Sequence, residues 1–142
     1  METLYTARAT SSGSGRSGRV ATDDGRVEMD LAIQEELGGT GDAANPEQLF
    51  AAGYAACFHS SLQAIARKSK VDLGDSAVTA AVGIGKNGAG FGLDAALEIS
   101  APGAPRAAAE DLIAQAHEAC PYSNATRGNI DVETRLIEAS DD

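Results

Sequence analysis

Cys57 and Cys120 are the only two cysteines of the chain, and they stand in different surroundings. Cys57 lies within a run of helix-forming residues, Ala55-Ala56-Cys57-Phe58, whereas Cys120 directly precedes Pro121, where a helix is expected to end. Their wide separation excludes a local CxxC pair, so the two sulfur atoms can meet only through the fold. If they do meet, they can form and break a disulfide, which is the basis of thiol redox chemistry.

The two cysteines are not equivalent as nucleophiles. The thiolate is the reactive form, and an unperturbed thiol with a pKa of about 8.5 is mostly protonated at neutral pH. Cys57 lies too far inside its predicted helix for the N-terminal dipole to lower its pKa, and a helix C-terminus disfavours an anion at Cys120. Cys57 is therefore the better attacking sulfur, provided that an Arg or Lys reaches it, and Cys120 is the better second thiol. Burial for packing alone is the alternative for both, above all for Cys120.

Zinc or copper binding is a second alternative for the cysteines. A metal site needs three or four ligands, and the chain offers only the two cysteines with His59 and His117. Cys57 and His59 are two residues apart on a predicted helix and point to different faces, which also disfavours a nucleophile–base pair. The sequence therefore predicts no metal site, and we interpret the histidines as packing or surface residues.

A glycine-rich segment, Gly13-Ser14-Gly15-Arg16-Ser17-Gly18, matches the GxGxxG pattern of dinucleotide-binding loops. That function requires a helix to begin at the last glycine, so that its N-terminus faces the pyrophosphate. The residues after Gly18 favour a strand instead, so a flexible turn is the better interpretation. Such a turn can still direct Arg16 into a neighbouring site.

Composition and charge narrow the functional classes. The chain has 142 residues, which suits a single domain over residues 1–142. Its net charge of −10 disfavours nucleic-acid binding, because the phosphate backbone would be repelled. No segment has the length and hydropathy of a membrane span or the pattern of a signal peptide. We therefore expect a cytoplasmic protein without nucleic-acid or membrane partners, in which a permanent disulfide is disfavoured.

Strands and helices are predicted in blocks. Turn signals and alternating patterns predict strands over residues 4–9, 19–22, 26–33, 77–86, 91–100 and 129–137. The first helix begins at Asn45-Pro46-Glu47 and reaches about Ser69, and Pro105 begins a second helix that ends near Cys120. The order β-β-β-α-β-β-α-β argues for the α+β class with a mainly antiparallel sheet. The alanine-rich first helix is predicted to be central and enclosed on several sides.

Two longer motifs surround the cysteines: NPEQLFAAGYAACF from Asn45 to Phe58, and CPYSNATRGNI from Cys120 to Ile130. With them the chain resembles the organic hydroperoxide resistance proteins, the Ohr branch of the Ohr/OsmC family, over nearly its whole length. The resemblance implies the OsmC-like fold in an intertwined homodimer with a site at each interface. It also implies a thiol peroxidase that reduces organic hydroperoxides without a bound cofactor. The expected electron donor is a dihydrolipoyl group on a lipoylated partner protein.

The resemblance implies roles for individual residues. Cys57 is expected to be the peroxidatic cysteine and Cys120 the resolving cysteine. Glu47 is expected to hold an arginine of the glycine-rich loop against the Cys57 thiolate. Arg16 matches that arginine, although the Gly-Gly pair that precedes it in the family is Ser-Gly here, and Arg19 is the fallback.

This assignment requires Glu47 and Cys57, which both lie in the first predicted helix, to come close together. In an unbroken helix Glu47 and Cys57 would be about 15 Å apart along the axis, too far for one guanidinium to contact both. The helix is therefore predicted to break or bend near Gly53, so that the acid folds back towards the sulfur.

Aromatic side chains cluster around the two motifs. We interpret five of them as candidates to line an apolar channel for the organic group of the substrate, with core packing as the alternative for each: Phe50, Tyr54, Phe58, Phe91 and Tyr122.

Two other functions stay open for the same fold. They are an OsmC-like peroxidase with a broader choice of peroxide and a redox sensor that uses its disulfide as a switch.

Overall fold

The computed structural model describes residues 1–141, which divide into two compact units, Met1–Leu49 and the chain from Phe50 onward. The regular elements are β1 (Ala9–Ser12), β2 (Arg19–Thr22), β3 (Glu28–Asp30), α1 (Pro46–Lys68), β4 (Ala77–Asn87), β5 (Gly90–Pro105), α2 (Arg106–Ala119), α3 (Pro121–Thr126) and β6 (Val132–Ser140). The predicted α+β class and element order are confirmed, with the short helix α3 as an addition.

The first unit contains an antiparallel sheet in the order β1-β2-β3. The predicted β2–β3 turn is confirmed at residues 23–25, where Gly25 has a positive φ of 72°. The strand predicted over residues 4–9 is wrong, because β1 begins only at Ala9, and the strand predicted over 26–33 shortens to β3. Both differences follow from β2, whose four residues limit how much of either neighbour can be paired.

Helix α1 begins as the sequence predicts. The Asn45 side chain accepts a hydrogen bond from the Gln48 backbone N–H at 3.0 Å, and the Gln48 side chain accepts one from the Asn45 N–H at 3.1 Å. This reciprocal pair satisfies two backbone donors at the start of a helix. Pro46, the first helical residue, lacks an N–H and needs no partner there.

The predicted break in α1 near Gly53 is wrong, because α1 is one uninterrupted α-helix of 23 residues. A Cβ built at Gly53 would lie 3.0 Å from the Tyr122 Oη and 3.1 Å from the Tyr122 Cε2. The missing side chain therefore makes room for an aromatic ring and does not interrupt the helix. The axial separation of about 15 Å between Glu47 and Cys57 consequently stands.

In this chain α1 buries one stripe and is not enclosed on several sides. Ala52 and Ala56, in its alanine-rich first half, are exposed. The prediction of a helix surrounded by protein is therefore not met within the single chain. The buried stripe consists of Tyr54, Phe58, Leu62 and Ala66.

The second unit contains a sheet in the order β4-β5-β6. β4 and β5 form an antiparallel hairpin whose last pair is Asn87 with Gly90, so the predicted turn is confirmed. β6 pairs with β5 in parallel. The final strand begins at Val132 and not at Asn129, because the N–H groups of Asn129 and Ile130 bond to the Thr126 carbonyl at the end of α3. The prediction of mainly antiparallel pairing is confirmed, although the strands form two sheets.

The core of the second unit lies between α1, α2 and one face of β5. Alternate residues of β5 are fully buried, as expected for a strand with one face on a core: Leu97, Ile99 and Ala101. The predicted apolar stripe of α2 is also buried: Ala109, Leu112, Ile113 and Ala116. Cys120 joins this core. Within residues 1–141 no helix has the length and apolar character needed to cross a membrane, and the predicted cytoplasmic location stays a prediction.

Candidate active site

An arginine–carboxylate pair forms the charged part of the candidate site, within the first unit. Arg16 donates two hydrogen bonds to Glu47, from Nη1 to Oε2 at 3.0 Å and from Nη2 to Oε1 at 2.9 Å. The Glu47 side chain is 10% exposed and the Arg16 side chain 39%, so the guanidinium keeps one side open to solvent. Two parallel bonds fix the plane of the guanidinium as well as its position.

The ionisation of this pair is strongly favoured. The hydrogen bonds from Arg16 lower the pKa of Glu47 to about 2, against an opposing effect of burial, and Gln34 helps to lower it. The same hydrogen bonds raise the pKa of Arg16 above its ordinary value. The first unit therefore presents an oriented, permanently charged guanidinium.

Gln34 is a member of this cluster that the sequence analysis missed. Its Nε2 donates to Glu47 Oε2 at 3.0 Å. The amide orientation is fixed by this contact, because only the nitrogen can donate to a carboxylate. The Gln34 Oε1 is buried and has no hydrogen-bond partner among residues 1–141.

Glycines shape the loop that presents Arg16. Residues Gly15–Ser17 form a single 3₁₀ turn, and Gly15 has a positive φ of 63°. A Cβ on Gly18 would lie 2.1 Å from the Ser12 carbonyl oxygen, so only glycine fits there. Strand β2 follows directly, and no helix begins at Gly18. The GxGxxG match is therefore a tight turn and not a dinucleotide-binding loop.

Arg16, and not the fallback Arg19, is the arginine paired with Glu47. Arg19 bonds to Glu28 at 2.6 Å and to Asp30 at 3.0 Å, on the exposed side of the sheet formed by β1, β2 and β3. These exposed ion pairs tie two neighbouring strands together and contribute little to stability.

The two cysteines meet in the second unit, as the dithiol hypothesis requires. The Cys120 Sγ lies 3.5 Å from the Cys57 Sγ, and both thiols are free. Cys120 is fully buried, whereas Cys57 is partly accessible. A disulfide has an S–S length of about 2.05 Å, so bond formation requires the sulfurs to approach by roughly 1.5 Å. This arrangement suits a partly accessible first thiol and a protected second thiol.

The surroundings of Cys57 in the second unit raise the pKa of its thiol. Burial is the main cause that raises the pKa of Cys57, and the neighbouring Cys120 thiol adds to it. The backbone N–H of Tyr122 acts in the opposite direction and lowers it. No guanidinium is among these causes, so the lowering implied by the family resemblance stays a prediction.

A buried hydrogen-bond chain runs beside the cysteines, and the sequence analysis missed its polar role. The Ser123 Oγ lies 2.7 Å from the Tyr54 Oη and 2.8 Å from the His117 Nδ1. Tyr54 and Ser123 are both fully buried. Burial and the nearby Arg127 charge lower the pKa of His117, which favours the neutral imidazole. The predicted packing role of His117 therefore includes a specific polar contact.

The structure brings together three of the five predicted aromatics. The rings of Phe50, Tyr54 and Tyr122 form a cluster with centroid separations of 6.3 Å, 6.4 Å and 5.8 Å. Phe58 is fully buried in the core. Phe91 is 63% exposed beside the β4–β5 turn, at the far end of the hairpin from the core. Tyr122, which is 40% exposed, is the member of the cluster that solvent reaches best.

The two histidines each bond to a serine. His59 Nε2 lies 2.9 Å from the Ser76 Oγ, and His117 lies beside Ser123 as described above. Among residues 1–141, no three His, Cys, Asp or Glu side chains are grouped so that they could hold a metal ion.

Comparison with known proteins agrees with this architecture. The sequence model of the OsmC-like protein family matches residues 39–135. The organic hydroperoxide resistance protein of Xanthomonas axonopodis pv. citri is 50% identical over 135 residues, which cover 94% of each chain. OhrB of Bacillus subtilis, also an organic hydroperoxide resistance protein, is 41% identical, with 94% of this chain and 98% of that one covered.

A solved structure supports the same conclusion. The organic hydroperoxide resistance protein OsmC of Legionella pneumophila superimposes with a TM-score of 0.89 at 48% identity, over 98% of this chain and 99% of that one. The predicted OsmC-like fold is thereby confirmed. The chain belongs to the Ohr/OsmC family of OsmC-like proteins.

Proposed function

We propose that this protein is a thiol peroxidase that reduces organic hydroperoxides to alcohols. The observation that carries the proposal is the 3.5 Å contact between the free thiols of Cys57 and Cys120. Relatives that are 50% and 41% identical over nearly the whole chain are organic hydroperoxide resistance proteins, which supports this choice of substrate.

The proposed reaction has three steps. The Cys57 thiolate attacks the terminal oxygen of ROOH, so an S–O bond forms, the O–O bond breaks, and the alkoxide takes a proton to leave as ROH. Cys120 then attacks the Cys57 sulfenic acid, forming the disulfide and releasing water that carries the proton of the Cys120 thiol. A dihydrolipoyl dithiol of a lipoylated partner restores both thiols by disulfide exchange and becomes the cyclic lipoyl disulfide.

We further propose that Arg16 and Glu47 act on Cys57 across the interface of an intertwined homodimer. The uninterrupted helix α1 does not allow the folding back that a three-residue site within one chain was predicted to need. In the proposed homodimer, the Arg16–Glu47 pair of one subunit faces Cys57 of the other. Its guanidinium lowers the raised pKa of Cys57 and donates hydrogen bonds to the peroxide oxygens as negative charge develops.

Gln34 supports the same arrangement. Its Oε1 is a buried acceptor without a donor among residues 1–141, and such an acceptor costs free energy. A hydroperoxide O–H or a donor of the second subunit would satisfy it.

The aromatic cluster is the proposed contact for the organic group R. Tyr122 offers its partly exposed ring, and Phe50 and Tyr54 support it from behind. Phe58 and Phe91, also candidates from the sequence, lie outside this proposed contact, because Phe58 is fully buried in the core and Phe91 is exposed at the far end of the hairpin. An apolar surface of this kind favours bulky alkyl or fatty-acid hydroperoxides over hydrogen peroxide.

Peroxide turnover tests the proposal. Purified protein is given cumene hydroperoxide with dihydrolipoamide, and parallel samples receive dithiothreitol or hydrogen peroxide. Sustained loss of cumene hydroperoxide with the lipoyl thiol is expected. A single stoichiometric oxidation would indicate the redox sensor instead, and equal rates with hydrogen peroxide would indicate an OsmC-like peroxidase of broader specificity. Absence of any peroxide consumption would refute the proposed activity.

A further inference from the structure

Cys120 occupies the corner between two helices. It is the only residue between α2 and α3, and its backbone belongs to both ends. Its N–H bonds to the Ala116 carbonyl of α2 at 2.8 Å, and its carbonyl accepts the Asn124 N–H of α3 at 2.9 Å. The position of the Cys120 sulfur therefore depends on the angle at which α2 and α3 meet.

The hydroxyl of Ser123 connects the α2–α3 corner to α1, the helix that carries Cys57. The Ser123 Oγ of α3 contacts the His117 Nδ1 of α2 at 2.8 Å and the Tyr54 Oη of α1 at 2.7 Å. Tyr54 lies one helical turn before Cys57, so the two residues share a side of α1. Ser123 and His117 lie at equal distances along the chain on either side of Cys120. The contact thus joins the three helices through residues that lie three positions from Cys57 or from Cys120.

Arg127 also connects α2 to α3 at this corner. Its Nη2 donates to the His117 carbonyl oxygen at 2.6 Å, and its backbone N–H donates to the Ser123 carbonyl at 3.0 Å. The last turn of α2 and the end of α3 are therefore joined through backbone atoms as well. The Ser123 hydroxyl adds the link to α1, which Arg127 does not make.

We propose that Ser123, Tyr54 and His117 form a latch that positions Cys120 for attack on Cys57. The three side chains are positioning residues, because they act through the corner between α2 and α3 and not on the reacting atoms. Held groups react as if at very high local concentration, and the advantage falls when the geometry loosens. The role of the latch in catalysis rests on the proposed peroxidase function. Its effect on how readily Cys57 and Cys120 form a disulfide does not depend on that function.

The equilibrium between the thiols and glutathione measures the latch without any peroxide. Each disulfide formed converts one glutathione disulfide into two glutathione thiols, so the effective concentration of the Cys57–Cys120 pair equals [GSH]²/[GSSG] at the point where the disulfide is half formed. Ser123→Ala is expected to lower it about ten-fold, because the corner is released from α1. His117→Asn, which keeps a polar atom near the Nδ1 position, is expected to retain more of the wild-type value than His117→Ala.

Reaction with peroxide separates positioning from general damage. With stoichiometric cumene hydroperoxide, Ser123→Ala is expected to leave the first oxidation of Cys57 within about two-fold of wild type. Disulfide formation should slow about ten-fold. When a second equivalent of cumene hydroperoxide is then added, it should oxidise the longer-lived Cys57 sulfenic acid to the sulfinic acid, detected by mass spectrometry. Ser76→Ala is the matched control, since it removes a 2.9 Å serine–histidine contact of the same unit, to His59, and should change neither step.

Two outcomes decide the proposal. Wild-type effective concentration and disulfide-formation rate in folded Ser123→Ala would overturn the latch. If Ser123→Ala does not fold, Tyr54→Phe, which removes the oxygen that contacts Ser123, is measured by the glutathione equilibrium alone, and a wild-type effective concentration in that variant would overturn the latch. If wild type consumes no hydroperoxide but Ser123→Ala still lowers the effective concentration, the latch stands and the peroxidase proposal fails.

Discussion

At the scale of the residue, the carboxylate of Glu47 is the most strongly perturbed group of the candidate site. Three hydrogen bonds reach it, two from Arg16 and one from Gln34, and they lower its pKa from 4.5 to about 2. A carboxylate with a depressed pKa stabilises the folded state fully above its unfolded pKa. That contribution is lost as the pH falls through the folded pKa.

We therefore predict a pH-dependent cost for Glu47→Gln. Above pH 4.5 the variant should lose about 1–3 kcal/mol of unfolding free energy, because the charged acceptor of Arg16 is gone. The difference from wild type should shrink between pH 4.5 and about 2, where Glu47 itself becomes protonated. Urea unfolding across this range measures it. A difference that is constant down to pH 2 would show that the pair does not carry this free energy.

Substitution of the cysteines should divide the reaction into its steps. Cys57→Ser removes the attacking sulfur, so peroxide consumption should fall by more than about a thousand-fold. Cys120→Ser keeps the first step but cannot form the disulfide, so one equivalent of peroxide should be consumed before sulfenic acid over-oxidises. Peroxide stoichiometry and intact mass measure both effects. Sustained turnover by Cys57→Ser would contradict the assignment of the first thiol.

The sequence alone predicted those residues of the candidate site that lie in distinctive motifs. Cys57 and Cys120 stand in long motifs, and Arg16 stands in a glycine-rich loop, so each had a pattern of its own. Gln34 and Ser123 had none, because a lone polar residue becomes informative only when its partner is known. The partner of Ser123 on α1, Tyr54, is 69 positions away in the chain.

At the scale of the element, the break predicted in helix α1 came from the assumption that Glu47 and Cys57 belong to one site of a single chain. Gly53 was the natural place for it, because a glycine inside a helix costs roughly 1 kcal/mol relative to alanine. The structure instead places the Tyr122 ring against the bare backbone at this position. A contact between positions so far apart in the chain cannot be read from the local pattern.

A double-mutant cycle should reveal this contact. In a Tyr122→Ala background, Gly53→Ala should stabilise the protein by about 1 kcal/mol through helix propensity. With Tyr122 present the gain should be smaller by about 0.5–1 kcal/mol, because the new Cβ displaces the ring. Thermal or urea unfolding of the four proteins measures the coupling. Equal effects of Gly53→Ala in both backgrounds would show that the ring does not limit this position.

The strands illustrate a related limit. The alternating apolar pattern predicted the positions of most strands but not their lengths. A strand extends only as far as a neighbouring strand forms hydrogen bonds with it, and the local pattern does not contain that neighbour. β5 continues from residue 100 to Pro105, where it pairs with the last residues of β6, beyond its predicted end. β1, in contrast, is restricted to the four residues opposite β2.

At the scale of the whole molecule, exposed apolar residues argue for a second copy of the chain. Leu4 is 93% exposed and Tyr5 79%, and Ala52 and Ala56 leave an apolar side of α1 uncovered. The sequence predicted an α1 enclosed on several sides, and one chain does not provide that enclosure. A second copy of the chain that covered these residues would account for their exposure, as the proposed homodimer requires.

Mixed dimers test whether the charged pair of one subunit serves the sulfur of the other. Arg16→Ala and Cys57→Ser subunits, each inactive as a homodimer, are co-expressed with different affinity tags, and the heterodimer is isolated. Across the interface, the intact Arg16–Glu47 pair of one subunit meets the intact Cys57 of the other. The heterodimer should therefore show about half of the wild-type peroxidase activity, because one of its two sites is complete.

The reciprocal heterodimer makes this test decisive. When one subunit carries both substitutions and its partner is wild type, each interface site contains one defect, so no activity is expected. A site built within one subunit predicts the opposite pattern, with an inactive first heterodimer and about half activity in the second. That opposite pattern would show that Arg16 and Cys57 of the same subunit form the site. It would then require α1 to bend in solution, since its uninterrupted course separates Glu47 from Cys57 by about 15 Å.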